Sequence, residues 1–250
     1  LVSPNSDKGN GFIQIDTVKG EVIGYNPAYR IYQGSGNPAG FSGYFVMQFE
    51  KNTIASGVYN GDDISQEKSI SNKDNLGAFL KFRLKKGAQL TVRIGTSFSS
   101  IENARKNLNA EINHWDFDKV RTQAAAIWNK ALGQIKVETP IEQQKDIFYT
   151  AFYHSMQVPR LYNDEDGTYP KYAHEYENTN IKGTDYYDDF SMWDIYRAQL
   201  PLFQILQPKK AGAFANSLVL KGQQGNWLPI FPCWNSYTGA MIGDHSVAFL

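Results

Sequence analysis

The sequence predicts an α+β chain in which an antiparallel β-sandwich precedes a helical domain. Three observations predict it. Short period-two runs, separated by Gly, Asn and Asp, fill the first hundred residues. Near Ser100 the apolar period lengthens to helical spacing, and no Pro or Gly interrupts residues 101–132. Beyond Gly133, helical patterns alternate with loops rich in Pro and Gly. These shifts divide the chain into a sandwich (1–100), a helical linker (101–133) and a helical domain (134–250).

Residues 12–18 alternate in part, and Lys19-Gly20 turns the chain into a second strand over 21–25. The stretch Gly34-Ser35-Gly36-Asn37-Pro38 reads as a loop. Further strands are predicted over 44–49, 76–84 and 89–97, the last two joined by a turn at Lys86-Gly87. Ser99 or Ser100 caps the helical stretch 101–132. Asn113-His114-Trp115-Asp116 is a poor helix interior, so Trp115 divides that stretch in two. Residues 134–138 read as a short strand. Thr139 as cap and Pro140 at the first helical position start a helix reaching about Gln157. Residues 164–170 form a turn between extended pieces. One helix is predicted from about Met192 to Leu206, ended by Pro208, and another from Lys209 to about Gly222. Loops follow around 229–232, and Asp244 caps a last helix. No internal repeat of about 20 to 50 residues is visible.

Composition removes several function classes. Lys plus Arg equals Asp plus Glu at 25 each, so no broad positive field exists for nucleic acid. No run of about 18 apolar residues offers a membrane-spanning helix. Cys233 is the one cysteine, which excludes an intrachain disulfide and a cysteine zinc site. The 15 Tyr, 15 Phe and 5 Trp suit the flat C–H faces of sugars, although a large core also uses aromatics. The chain opens on Leu1 without Met or a visible signal peptide and stops inside an apolar run at Leu250, as an interior segment would.

The most informative stretch runs from Asp185 to Arg197. Ser191 is placed to cap a helix, with Asp194 three residues on near the positive end of the helix dipole. Arg197 is predicted to pair with Asp194. Asp194 would then accept two hydroxyls of a sugar while Trp193 supports a ring face. The same spacing also fits a capping carboxylate, an ordinary helical ion pair and a buried Trp. A second cluster joins 228–234 to 239–245, where His245 either bonds a substrate hydroxyl or satisfies a core carbonyl. Asp164, Glu165 and Asp166 invite a calcium reading. The EF-hand pattern counted back from Gly167 puts Tyr162 at position one, so a solvated turn is expected instead. No nucleophile elbow, phosphate loop, dinucleotide fingerprint or His-Glu-x-x-His appears.

Asp189-Phe190-Ser191-Met192-Trp193-Asp194-Ile195-Tyr196-Arg197, Pro201-Leu202, Leu206-Gln207-Pro208, Gln224-Gly225-Asn226-Trp227-Leu228-Pro229 and Met241-Ile242-Gly243-Asp244-His245-Ser246 resemble glycoside hydrolase family 92, the calcium-dependent exo-acting α-mannosidases. The resemblance is specific over 185–250 and looser before it. It implies a supersandwich-like β-domain followed by the first helices of an (α/α)6 barrel. It also implies inverting, calcium-assisted hydrolysis of terminal α-linked mannose, with α-1,2 the expected linkage. Trp193 and Asp194 are implied as contacts to the terminal mannose, and Gln224, Trp234 and His245 as lining the same barrel face. The acid, the base and most calcium ligands are implied to lie beyond Leu250, so no catalytic or metal-ligating residue is assigned. A mannose-containing glycan is the implied partner, and that substrate class implies a periplasmic or extracellular location. A non-catalytic carbohydrate-binding or structural module, or a different (α/α) barrel glycosidase, remains the alternative.

Overall fold

The structure, a computed structural model, describes residues 11–28, 40–73 and 75–250. The loop expected at Gly34–Pro38 lies outside them. Eight strands come first: β1 (Phe12–Asp16), β2 (Glu21–Ala28), β3 (Phe41–Phe49), β4 (Ala55–Asn60), β5 (Asp63–Ser65), β6 (Ser69–Ser71), β7 (Leu76–Lys81) and β8 (Val92–Ser97). They form two antiparallel sheets, ordered β6-β1-β2-β3-β8 and β5-β4-β7. Asp16 starts the first hairpin turn by accepting from the backbone N–H groups of Val18 and Lys19 (3.0 and 2.9 Å). Ile13 and Ile15, two residues apart, point to one face and meet Val22, Val58 and Leu76 between the sheets.

β4, β5 and β6 were not expected. Ala55-Ser56-Gly57-Val58-Tyr59-Asn60 carries little apolar alternation, yet all six residues pair with β7. Partner strands, not intrinsic preference, hold it extended.

Two helices cover the stretch 101–133: α1 (Ile101–Glu111) and α2 (Phe117–Leu132), divided around Trp115 as predicted. Ser100 Oγ accepts from Asn103 N (3.0 Å), and Asp116 Oδ1 accepts from Lys119 N (2.9 Å). Ala104 and Leu108 of α1 pack on Val46, on the outer face of the larger sheet. Gly95 permits that approach: a Cβ there would lie 2.3 Å from the Ala104 carbonyl oxygen.

The remaining elements are α3 (Glu142–Ser155), β9 (Arg160–Leu161), β10 (Thr168–Pro170), β11 (Asn178–Asn180), β12 (Tyr187–Asp188), α4 (Met192–Ile195), α5 (Gln199–Leu206), α6 (Pro208–Gly225), β13 (Pro232–Cys233), β14 (Ser236–Tyr237) and α7 (His245–Phe249). Residues 134–138 are not a strand. Their polar groups turn to α3, where the Tyr149 hydroxyl donates to Ile135 O (3.0 Å) and accepts from Val137 N (3.4 Å). α3 starts two residues later than expected, because Thr139 Oγ1 accepts from Ile141 N (3.2 Å) in a local turn instead of capping. The helix expected over 192–206 is two helices. In a continuous one the ring of Pro201 would clash with the Arg197 carbonyl; in α5 it falls in the first turn, where its missing N–H is not needed. Pro208 both ends α5 and opens α6, which closes at left-handed Asn226 (φ 70°).

Phe190, Met192, Leu200, Phe203, Phe214 and Leu218 form the core of the helical part. A second set, Phe41, Tyr162, Tyr169 and Tyr186 with Phe98 and Trp234, joins it to the sandwich. Asp164 reinforces that junction. The turn expected to be solvated buries this residue, whose carboxylate accepts from Ser97 (2.9 Å), Ser99, Asn103 (3.1 Å) and Asn107 (2.7 Å). Four donors from β8, α1 and the connection between them outweigh the cost of removing one carboxylate from water. Asp166 does face solvent, paired with Lys106 (3.0 Å). Among the described residues no helix is long and apolar enough to cross a membrane.

Candidate functional site

Residues 188–192 run beside 230–235, and backbone and side-chain bonds fasten them together. Met192 N donates to Ile230 O (3.1 Å) and Phe190 N to Pro232 O (3.1 Å). Trp234 N donates to Asp189 Oδ1 (3.0 Å), and Asn235 N to Asp188 Oδ2 (2.6 Å). Asp189, Trp234 and Asn235 all have left-handed backbones (φ 63°, 52° and 58°).

From this frame Trp193 and Asp194 of α4 project outward, while Met192 and Ile195 turn into the core. Trp193 is 41% exposed, which excludes the buried-Trp alternative. Its ring stacks on His245 (centroids 5.0 Å apart, planes 23°), and Tyr196 meets the same imidazole edge-on at 4.2 Å. Asp194 beside it is exposed, with Ser191 Oγ donating to its Oδ2 (2.5 Å). Two expectations fail here. The Ser191 side chain makes no cap bond to the helix backbone. Arg197 is not the partner of Asp194: it donates to Trp193 O (3.1 Å) and lies 5.2 Å from the centre of the Tyr196 ring. Likewise Asp244 stands at the N-cap of α7 without a side-chain bond.

The five predicted residues divide between three places. Trp193 and Asp194 are exposed beside the partly buried His245. Trp234 lines a groove of about 240 Å³ between sandwich and helical part, with Phe41, Phe98, Tyr162 and Arg160. Gln224 commits its amide internally: Oε1 accepts from Tyr172 N (2.8 Å) and Nε2 donates to the Tyr169 hydroxyl (2.9 Å). A cleft of about 960 Å³ bordered by Asp166, Lys182, Asp185 and Lys209 contains none of the five.

Sequence reasoning missed the charged residues under the site. Lys221 and Asp188 are both fully buried, with Nζ and Oδ1 2.9 Å apart, and Lys221 Nζ also donates to the Tyr186 hydroxyl (2.5 Å). Burial pushes the Asp188 carboxyl up against the pull of Lys221, and pushes the Lys221 ammonium down against the pull of Asp188. Burial likewise raises the Tyr162 and Tyr186 hydroxyls. Arg160 Nε donates to Asp189 Oδ2 (2.5 Å). The available signal was Lys221 itself, which continues the helical stripe Ala211, Phe214, Leu218 of α6.

Calcium fits these residues poorly. Among the described residues no three of His, Cys, Asp or Glu gather as a ligand set. Asp164 is engaged by Ser and Asn donors, Asp188 by Lys221 and Asn235, and Asp189 by Arg160 and Trp234. A calcium cage needs about six to eight oxygens free to coordinate.

Comparison with known proteins agrees with this architecture. An inverting mannosidase of family GH92 from Bacteroides thetaiotaomicron VPI-5482 superposes with a TM-score of 0.85 at 29% identity, over 97% of this chain and 32% of that one. A family GH92 α-mannosidase from Bacteroides thetaiotaomicron gives 0.82 at 25% identity, over 96% and 32%, and has also been solved in complex with mannoimidazole. An uncharacterized secreted glycosidase of Arthroderma benhamiae is 35% identical over 98 residues, covering 36% of this chain and 12% of the relative. The chain therefore spans about a third of those solved structures and a smaller share of the curated relative. Residues 2–97 match the glycosyl hydrolase family 92 N-terminal domain and residues 103–250 its catalytic domain, and the chain belongs to glycosyl hydrolase family 92.

Proposed function

We propose that this chain supplies the terminal-sugar contacts of an exo-acting α-mannosidase. The observation that carries the reading is the exposed Trp193 ring, stacked on His245, with the exposed Asp194 carboxylate beside it. An aromatic face covers the apolar side of a pyranose, and an adjacent carboxylate accepts hydrogen bonds from its hydroxyls. Trp234, in its groove, contributes a further contact, while Gln224 acts from below by holding Tyr169 and Tyr172.

In the whole protein, residues 1–100 act as part of the sandwich, 101–133 as linker and 134–250 as the start of the (α/α)6 barrel. The reaction is a single inverting displacement: an acid protonates the leaving oxygen while a carboxylate activates water on the opposite face. Both groups are placed beyond Leu250. The substrate is a glycan ending in α-linked mannose, α-1,2 in the first instance, met in the periplasm or outside the cell. The mannosidase relatives, one with a mannoimidazole complex, and the secreted glycosidase support this reading.

In the full-length protein, Asp194→Ala should lower mannose release from linkage-defined mannobioses by more than about tenfold, because hydroxyl contacts tighten in the transition state. An unchanged rate removes Asp194 from the substrate contacts. Calcium belongs to the same proposal, with its ligands outside this segment. Excess chelator should abolish mannose release, and activity that survives it ends the calcium reading. A carbohydrate-binding module would instead bind mannan and release nothing, with or without calcium.

A further inference from the structure

Asp189 stands out because one buried carboxylate meets three donors from two segments distant in sequence. It receives Arg160 Nε from β9 (2.5 Å), the Trp234 backbone N–H (3.0 Å) and the Tyr162 hydroxyl (3.5 Å). Asp188 repeats the arrangement one residue earlier, taking the Asn235 N–H (2.6 Å) while Lys221 balances its charge. Both residues that the two carboxylates hold are non-glycine and left-handed, as is Asp189 itself. Such backbones are strained and persist only where surrounding bonds over-determine them. Here the over-determination comes from two consecutive side chains gripping two consecutive amides.

The consequence reaches the groove. Trp234 and Arg160 are both lining residues, Arg160 is half-exposed, and Asp189 touches both. Asp189 itself is 5% exposed and is not among the groove residues, so a sugar would meet Trp234 and Arg160 but not the carboxylate. From Asp189 the chain continues to Ser191 and the exposed Trp193–Asp194 pair. The same residue thus sets where the groove lies relative to the terminal-sugar patch.

Resting on the mannosidase reading, we infer that Asp189 is a positioning residue: it presets the Trp234 turn and Arg160 so that the groove grips a glycan in register with Trp193 and Asp194. Asp189 acts through Trp234 and makes no sugar contact of its own.

The test is a double-mutant cycle in the full-length protein, reading kcat and KM for mannobiose with the melting temperature of each variant. Asp189→Ala and Trp234→Ala should each lower kcat/KM by at least about tenfold, mainly through KM, and the double variant should fall no more than about threefold below the worse single. Asp189→Asn keeps one oxygen for the Trp234 N–H but turns an NH2 toward Arg160 Nε, so its kcat/KM should fall between those of wild type and Asp189→Ala. Losses that multiply overturn the proposal, as does an unaltered kcat/KM for Trp234→Ala. Should Asp189→Ala fail to fold, Asp189→Glu keeps the charge but moves it by one methylene; wild-type kinetics in that variant overturn the proposal equally. If wild type releases no mannose, the activity reading has failed by itself. The same cycle is then read as mannobiose affinity by calorimetry, where multiplying losses again refute the positioning role.

Discussion

Asp188 and Lys221 illustrate how a buried charge constrains its neighbours. Both side chains are fully enclosed, and each is the other's counter-charge. Removing one partner leaves the other uncompensated in a low-dielectric interior. Asp188→Asn should therefore cost about 3–5 kcal/mol in urea unfolding, the range for breaking a buried pair from one side. A loss below about 1 kcal/mol would show that the two groups are neutral in the folded state. At this scale the sequence was partly legible. Asp194 and Trp193 stood out through the resemblance carried by residues 189–197, since their spacing alone also fitted a capping carboxylate and a buried Trp. Arg197 misled, since helical spacing licenses a pair with Asp194 but α4 stops before a regular turn can align it. Asp189 was hidden because its partners, Arg160 and the Trp234 amide, lie 29 and 45 residues away.

Secondary-structure elements followed their local signals where those signals were self-sufficient. The division of α1 from α2 needed only a poor interior and an aspartate cap, and the structure has both. Elements that depend on partners were not readable. β4 is held by β7, and residues 134–138 lose their strand because Tyr149 takes their backbone groups. α4 and α5 separate for a reason that was present in the sequence, Pro201, but its effect depends on where the turn is counted from. Gly95 offers a test of close packing between elements. Its missing Cβ would meet the Ala104 carbonyl at 2.3 Å and Leu108 Cβ at 2.5 Å. Gly95→Ala must push α1 away from β8 and should cost about 1–3 kcal/mol, typical of overpacking, measured as a shift in the urea midpoint. A neutral result would mean that α1 can slide on the sheet.

For the molecule as a whole, the decisive feature is how sandwich and helical part are joined. The order of strands before helices was visible in the change of period, but the joint was not, because Asp164 was read as part of a wet turn. It is the acceptor for four side chains from the segment running from the end of β8 through α1. Asp164→Ala leaves those donors without their acceptor, and should destabilise the chain by at least about 2 kcal/mol while broadening or splitting its calorimetric melt. A single sharp transition at the wild-type temperature would show that the aromatic cluster alone joins the two parts. Cys233 adds a consequence of another kind. It is buried next to Asp189, and burial together with that carboxylate pushes its thiol up, away from the reactive thiolate. Because the 250 residues contain no second sulfhydryl, an alkylating reagent has a single target, shielded until the strained turn beside it opens. The rate of labelling therefore clocks the breathing of the groove wall, with no probe added to the protein.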